Sequence, residues 1–485
     1  MSCATDGCAV YHSFMVSPDY TTLLSRNTSW HDAAATADGT PMVVTYSFAT
    51  TAEAGSTGFQ AFSTAQRASA RLALDAWAAV SGLSFVEVPD TSDGTGIDIR
   101  FDLERLSSIT TMGVTTLAPY GDVTMNSRLF AYDSFAPDPY RVSYQALLHE
   151  VGHALGLSHP ASDSAEALAN TIMVSVLGTG RPINAPLAWD VSAIQALYGT
   201  PADRAALGIS WSWDANYGAV HGTGTAGDDS LTGTAWRDVL IGGAGDDILN
   251  GRESDDILVP GMGNDTLIGG AGFDTVVLNA TRGGVTLDAL GGWLISAEGT
   301  DHISGIEAVR MLDGTLYLSR PDALSRIAAL YEVALGRTPD TGGLAHWWAE
   351  FQAGASLRQI ADGFLDSAEY AAGHPVRVGA DALLDQAAAR PASLPADGFW
   401  VPDPDAQLVA RLYELALGRA PEAAGFAAWL AEMDGGLDEA GLARGFFLSH
   451  EAESNGGTGF ASAEDLLAAA RTDAWRLHVD GVSLL

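Results

Sequence analysis

The 485-residue sequence predicts a multidomain chain: an α+β unit first, then a parallel β-roll, then two small all-α modules. Three observations carry that reading. Residues 149–160, "HEVGHALGLSHP", gather three histidines and a glutamate in one short run. From Gly224 a nine-residue register repeats six times without a gap. Beyond residue 320 an Ala/Leu-rich helical segment recurs at a constant offset of 82. The length alone exceeds what one hydrophobic core supports.

The run "SYQALLHEVGHALG" reads as a helix, with Ser143 as N-cap and an apolar stripe of Leu147, Leu148, Val151 and Leu155. His149 and His153, four residues apart, share one face of it and can bind one metal ion. Glu150 points a little aside, which suits a base acting on water at the metal better than a ligand. Gly156 can adopt a backbone conformation that other residues resist, so the chain can double back and return His159 as third ligand. Three neutral nitrogens with an open fourth position describe a catalytic zinc site, whereas structural zinc sites are closed, usually by cysteine. A bare HExxH recurs by accident on helices whose histidines are merely satisfied. The extended form also fixes a glycine and a third histidine, at about 1 in 20 per position, and chance does not produce it in this length.

With those residues the sequence resembles the metzincin metallopeptidases, and within them the serralysin group of secreted bacterial proteases. "HEVGHALGLSHP" fits HExxHxxGxxH with the group's proline after the third histidine, and "NTIMVS" (170–175) supplies Met173 as the methionine of the Met-turn. "LAWDVSAIQALYG" (187–199) matches the helix that follows, and "VVTYSFAT", "STAQRASARLALDAWAAVSGLSF", "IDIRF" and "YGDVTMNS" stand upstream in the family's order. The resemblance runs over about residues 40–320. It implies one catalytic Zn²⁺ on His149, His153 and His159, with Glu150 as general base. It also implies that "YGDVTMNS" forms the cleft's edge strand, where an extended peptide adds through its main chain, giving broad specificity. One position departs: serralysins place a tyrosine two residues after the Met-turn methionine, and here that residue is Ser175. The site would then be weaker, closer to matrixin chemistry, or inactive.

The nonapeptides are "GTAGDDSLT", "GTAWRDVLI", "GGAGDDILN", "GRESDDILV", "PGMGNDTLI" and "GGAGFDTVV". Their sixth position is always aspartate (Asp229, Asp238, Asp247, Asp256, Asp265, Asp274) and their eighth always aliphatic (Leu231, Leu240, Leu249, Leu258, Leu267, Val276). This is the RTX nonapeptide of calcium-binding parallel β-rolls. Glycines let the loop curl so that carbonyls and the aspartate converge on a hard cation, while the aliphatic position fills a narrow core. A flexible linker would not hold both residue types in phase. Without calcium the aspartates repel and little apolar area offsets chain entropy, so metal binding becomes folding free energy. Two even repeats lack loop glycines: "GTAWRD" carries Trp236 and Arg237, "GRESDD" carries Arg252 and Ser254. Firm calcium sites are therefore expected at Asp229, Asp247 and Asp265, and weak or vacant ones around Asp238 and Asp256.

Formal net charge is −36, and all 24 basic residues are arginine. Such acidity argues against nucleic acid or anionic membrane as a partner. No run has the apolar length of a transmembrane helix, and "MSCATDGCAVYHSF" lacks a basic-then-apolar signal. The resemblance implies export by type I secretion machinery reading an uncleaved C-terminal signal, here "DAWRLHVDGVSLL". Cys3 and Cys8 admit two readings, a small disulfide loop or idle thiols, and a thiolate covering the zinc in a latent form.

"LYEVALGRTPDTGGLAHWWAE" (330–350) recurs as "LYELALGRAPEAAGFAAWLAE" (412–432). Each copy reads as a helix, an LGR-x-P turn, a helix carrying Trp347 and Trp348 or Trp429, and a third helix, with the tryptophans as core. The copies resemble a helical module found in secreted and cell-surface bacterial proteins, which suggests a cell-surface layer or polymer as a partner. Along the chain the segments are an N-terminal arm or propeptide (1–30), a metzincin catalytic domain (31–200), a connection (201–223), the RTX roll (224–277), its cap (278–320), helical copy one (321–375), a linker (376–404), helical copy two (405–455) and a tail with the secretion signal (456–485). The reading is a secreted zinc endopeptidase acting on proteins or peptides and stabilised by several Ca²⁺ ions. Its rival is a surface-associated binding protein whose protease domain has decayed.

Overall fold

The structure, a computed structural model, describes residues 20–483 apart from 25–28, 32–36, 53–55, 93, 117–120, 176, 178–181, 216–217, 289–291, 319–321, 338–345, 349, 352–353, 374–376, 389–398, 403, 420, 435–436, 450–451, 453–458, 472–477 and 480–481. Cys3, Cys8 and most of the expected secretion signal lie outside the described residues. Many of the strands are parallel, and the chain divides into two units, Met1–Ala206 and Leu207–Leu485.

In the first unit, strands β1 (Met42–Phe48), β2 (Leu83–Glu87), β3 (Ile99–Glu104), β4 (Gly113–Thr115) and β5 (Val123–Asn126) form one sheet in the order β2-β1-β3-β5-β4. All neighbours are parallel except β4, which runs antiparallel to β5. The edge strand is therefore β4. "YGDVTMNS" supplies β5, one place inward, because its backbone is paired on both sides. Helix α1 (Thr64–Ala78) starts on a capping box of Ser63 with Gln66 and buries Gln66, Ser69, Ala70, Ala73, Leu74 and Trp77, one stripe at helical spacing. Helix α2 (Val142–Ala154) is buried on nearly every side, as an apolar helix inside a core must be. Its N-cap is Arg141 rather than Ser143, whose hydroxyl instead donates to Asp133 Oδ1 at 2.9 Å. Trp77 Nε1 donates to the Leu148 carbonyl at 3.1 Å and ties α1 to α2. The stretch assigned to an arm or propeptide, 1–30, is also corrected in part. Leu23 and Trp30 are buried in this unit's core, and Trp30 Nε1 donates to the Ala154 carbonyl at 3.0 Å.

The second unit opens with β6 (Ser210–Asp214) and β7 (Ala219–Thr223) and winds into the roll. Odd repeats give β8 (Ser230–Thr232), β10 (Ile248–Glu253) and β12 (Thr266–Ala271); even repeats give β9 (Asp238–Ala244), β11 (Ile257–Met262) and β13 (Thr275–Val277). The two sets build opposite parallel sheets, and all six eighth-position aliphatics lie fully buried between them. The ladders do not stop at 277. After a hairpin of β14 (Thr286–Asp288) and β15 (Trp293–Ile295), β16 (Thr300–Ser304) continues the odd sheet and β17 (Ala308–Met311) the even one, both parallel. Part of the segment assigned to a cap is thus two further coils, hidden by an insertion that breaks the nine-residue phase.

Helices follow. Copy one comprises Asp322–Leu330, Tyr331–Leu335, Leu357–Asp366 and Ala368–Gly373, and copy two Pro404–Leu412, Tyr413–Leu417, Ala423–Asp434 and Glu439–Phe447. The tryptophans are core, as expected: Trp347 stacks on Phe364 and Trp429 on Phe446, with ring centroids 5.2 and 4.9 Å apart. Two boundaries are corrected. Residues 380–388, assigned to the linker, form a helix whose Ala380, Leu383 and Ala387 join the first copy's core. Residues 463–471, assigned to the tail, do the same for the second through Leu466, Leu467 and Ala470. The first keeps an i, i+3, i+7 apolar spacing that a Pro-rich neighbourhood disguises, and the second an i, i+4 spacing beside a Gly-rich run. The linker also supplies β19 (Phe399–Pro402), which pairs with β18 (Gly314–Tyr317) and extends the even sheet.

Copy two covers the even sheet. Val259 and Val277 belong to the same buried cluster as Ala406, Phe426 and Leu430, with Ile241 and Ile257 packed against it. Five of the six outward seventh and ninth positions of the even repeats are accordingly apolar, Val239, Ile241, Ile257, Val259 and Val277 (the sixth is Thr275), whereas four of the six on the odd sheet are polar, Ser230, Thr232, Asn250 and Thr266, beside Ile248 and Ile268. Val259→Asp should destabilise the second unit by about 3 kcal/mol or more, since it buries an unpaired charge. Asn250→Ser, its counterpart on the odd sheet, should change little. Equal tolerance in denaturant titrations, with hydrogen-exchange protection of helices 404–434 retained in both, would refute the packing role.

Candidate metal centre and calcium ladder

His149 and His153 project one turn apart from α2. Gly156, at φ +96°, releases the chain from the helix as its sequence context led one to expect. The Leu157 N–H then donates to the Gly152 carbonyl at 3.0 Å, and the Ser158 N–H to the Leu23 carbonyl at 2.7 Å. This fixes the return segment that carries His159. The Nε2 atoms of His149 and His153 lie 3.2 and 3.1 Å from Nε2 of His159. Tetrahedral coordination with Zn–N bonds of about 2.0–2.1 Å would set neighbouring nitrogens about 3.3 Å apart. The donor set fits zinc.

The other ring nitrogens fix the tautomers. His149 Nδ1 is 2.7 Å from the Ile172 carbonyl and His153 Nδ1 is 2.6 Å from the Leu157 carbonyl. A carbonyl only accepts, so both Nδ1 atoms carry the proton and both Nε2 lone pairs face the centre. Burial, with His153 and His159 adding to it, lowers the His149 pKa to about 3, which keeps it neutral. Burial grades from His149 inward to the exposed His159, so the centre opens to solvent on one side.

Glu150 is buried beside them. The Thr115 hydroxyl, on edge strand β4, donates to Glu150 Oε2 at 2.6 Å. Burial raises the Glu150 pKa to about 7, and the Thr115 bond opposes that rise. Opposite the carboxylate stands Gly113, where a Cβ would come within 2.8 Å of both Cγ and Oε1. Space for a reactant beside Oε1 thus depends on glycine. Beneath the ligands Met173 is fully buried, and a Cβ on Gly152 would lie 2.6 Å from its sulfur. Asp190, on helix α3 (Ala188–Tyr198), accepts from the Thr171 hydroxyl and from the N–H groups of Ile172 (3.0 Å) and Leu187 (2.8 Å). Thr171 in turn accepts the Met173 N–H at 2.9 Å. Asp190 therefore holds the turn whose Ile172 carbonyl orients His149. Ser175 is exposed, and its N–H donates to Asp163 Oδ1 at 3.0 Å.

In the roll the sixth-position aspartates form two ladders. The N–H of Asp229 donates to Asp247 Oδ1, Asp247 to Asp265 and Asp265 to Asp301, at 2.8–3.0 Å. On the other edge Asp238 donates to Asp256, Asp256 to Asp274, and Asp274 to Glu307 Oε2, at 2.7–2.9 Å. Asp301 and Glu307, which the nonapeptide count missed, continue the sixth-position role, with Ile303 and Val309 two residues on as the core aliphatics. The second oxygens of Asp247, Asp256, Asp265, Asp274 and Asp301 are buried without a hydrogen-bond partner. Burial, with neighbouring carboxylates adding to it, raises the pKa of Asp256 to about 9 and of Asp301 to about 7. Such oxygens are suited to a bound cation. Asp229 and Asp238 differ: the N–H and hydroxyl of Thr225 and Thr234 bond their second oxygens.

A family profile described as "RTX calcium-binding nonapeptide repeat (4 copies)" matches residues 223–258 and 260–281. Another, described as a domain of unknown function (DUF4214), matches 318–373 and 403–455, the two helical copies. The serralysin of Photorhabdus laumondii is 30% identical over 192 residues, 33% of this chain and 39% of its own length. Metallopeptidase AprA of Pseudomonas marginalis is 27% identical over 259 residues, 45% and 52%. Serralysin A of Dickeya chrysanthemi is 28% identical over 165 residues, 30% and 35%. This chain is similar to serralysins and carries RTX repeats. It spans about two fifths of the length of the Photorhabdus serralysin.

Thr115, Gly113 and Asp190 give no local sign in the sequence, because each acts on the histidine helix from a distant segment. Asp190→Ala should lower the stability of the first unit by about 2–4 kcal/mol, through three orphaned donors. Thermal unfolding beside Asp190→Asn, which keeps the volume, checks it; two unchanged midpoints would show that the turn stands without this carboxylate.

Proposed function

We propose that this chain is a secreted zinc-dependent endopeptidase, built on an α+β metzincin catalytic domain followed by the calcium roll and two small all-α modules. The carrying observation is the convergence of three oriented histidine nitrogens beside a buried glutamate at an edge strand. His149, His153 and His159 would hold the zinc, which when bound would polarise the scissile carbonyl and acidify water. Thr115 pins Oε2 of Glu150, leaving Oε1 to take the proton of the attacking water and to pass it to the leaving amine. The free edge of β4 would receive an extended peptide by main-chain bonding, which is indifferent to most side chains and gives broad specificity. Proteins or peptides are the substrates. Export through type I secretion machinery accords with the acidic, lysine-free composition and with a roll that folds on meeting calcium.

The rival reading, a binding protein with a decayed protease domain, draws support from Ser175 and from the two helical modules, and is opposed by the intact glutamate and orienting bonds. Casein zymography with and without a zinc chelator decides between them: a cleared band abolished by chelation supports the enzyme, and no band in calcium-containing buffer overturns it. Glu150→Gln should retain zinc, read by elemental analysis, while turnover falls by about 10²–10⁴-fold. Retention of more than a few per cent of activity would remove Glu150 from its role.

Ser175→Tyr should raise kcat by about 10–100-fold with KM little changed, since a phenol there acts on charge that develops in the transition state. Steady-state kinetics on a quenched peptide decide it. An unchanged kcat would mean that another donor already serves.

A further inference from the structure

The loops of the roll stack in register two repeats apart, and their second and fourth positions need a left-handed backbone. Gly243, Gly245, Gly261, Gly263, Gly270 and Gly272 sit there at φ +97° to +148°. At five of these positions a Cβ would come within 2.0–2.1 Å of a carbonyl oxygen in the coil beneath, and at the sixth, Gly245, within 2.5 Å of a carbonyl carbon, so side chains are excluded. The exception is the fourth repeat. Arg252 and Ser254 occupy the same two positions at φ +82° and +76°, and among the described residues only Phe135 shares positive φ with them outside glycine. Their side chains turn back onto the coil beneath. Arg252 Nη1 reaches the Gly233 carbonyl at 3.4 Å, and Ser254 Oγ donates to the Ala235 carbonyl at 2.9 Å.

Those carbonyls are the first and third positions of repeat two, the loop that leads to Asp238. We infer that the rung between repeats two and four closes without calcium, the Arg252 guanidinium and Ser254 hydroxyl taking the oxygens that a divalent cation takes elsewhere. The rungs between repeats one and three, three and five, and four and six carry glycine at the two positions and stay open to the ion. A guanidinium also opposes a second cation electrostatically in the same place, and its fixed N–H donors bond carbonyls without any metal. The structure narrows the expectation drawn from sequence. Asp238 Oδ2 and the Gly251 carbonyl both face the point where a Gly233 Cβ would lie, which puts that oxygen in the closed rung. Asp256 Oδ2 and the Gly269 carbonyl face the corresponding point at Gly251, one rung further on, where Gly270 and Gly272 restore the open geometry. Asp256 is therefore a calcium ligand and Asp238 is not. The even edge begins with a rung that needs no metal, and calcium loading starts above it.

The test counts ions on the full chain. Equilibrium dialysis in millimolar calcium followed by elemental analysis should give the Arg252→Gly, Ser254→Gly double variant about one more calcium per chain than the native protein. The mirror variant Gly243→Arg, Gly245→Ser should hold about one fewer. Equal calcium content in the native protein and the glycine variant would overturn the inference. Long-wavelength anomalous diffraction from native crystals grown in calcium decides it independently of any variant's folding. No calcium peak between residues 233–238 and 252–254, with peaks beyond Asp256, is the expected result; a peak in that rung refutes it.

Discussion

Five aspartate oxygens along the roll are buried with no donor, and the second unit is organised around that electrostatic deficit. A carboxylate removed from water without a partner is strongly disfavoured, and the N–H bonds that run up each ladder satisfy only one oxygen per residue. The roll cannot compensate by apolar burial. Only one residue in nine is fully in its core, and an aliphatic side chain contributes about 2 kcal/mol where every ordered residue costs about 1–2. The RTX repeats support calcium binding, and these oxygens are where a cation would fit. At the first coil of each edge Thr225 and Thr234 bond the second oxygens of Asp229 and Asp238 from within their own loops.

The histidine centre is governed by the same rule with a different solution. Here the buried polar groups are oriented by backbone carbonyls, so the imidazoles are neutral and aimed before any ion arrives. That orientation is inherited from afar. Asp190 fixes Thr171 and Ile172, Ile172 fixes His149, and Met173 lies against Gly152 in the middle of the histidine motif. The two unspecified letters inside HExxH are not free in this chain: the second must be glycine to admit the sulfur.

What could be read from sequence was local. The histidine spacing, Gly156, the nonapeptide phase and the 82-residue duplication all lie within a few helical turns or loops, where spacing maps directly onto geometry. Thr115 and Gly113 could not be read, since a three-residue strand has no periodicity and reaches Glu150 only through a non-local sheet. The family resemblance points to "YGDVTMNS" as the edge, but its backbone is paired on both sides and the edge falls to β4. Asp301 and Glu307 were legible in residue type but out of phase, because the hairpin 286–295 interrupts the count. The apolar seventh and ninth positions of the even repeats were a usable sign of a covered sheet, visible once odd and even repeats are separated.

That separation also explains why the duplicated helices sit where they do. A roll sheet with Val239, Ile241, Ile257, Val259 and Val277 pointing outward would be an exposed apolar patch, and such patches aggregate or find a partner. The second helical copy supplies the partner within the same chain. The two sheets are therefore stabilised unequally: the odd one is bounded by glycine loops suited to calcium, the even one by packed helices and, at its first rung, by Arg252 and Ser254. Since the helices can bury their apolar face only against an ordered even sheet, their docking and calcium loading are thermodynamically linked, each favouring the state that the other binds.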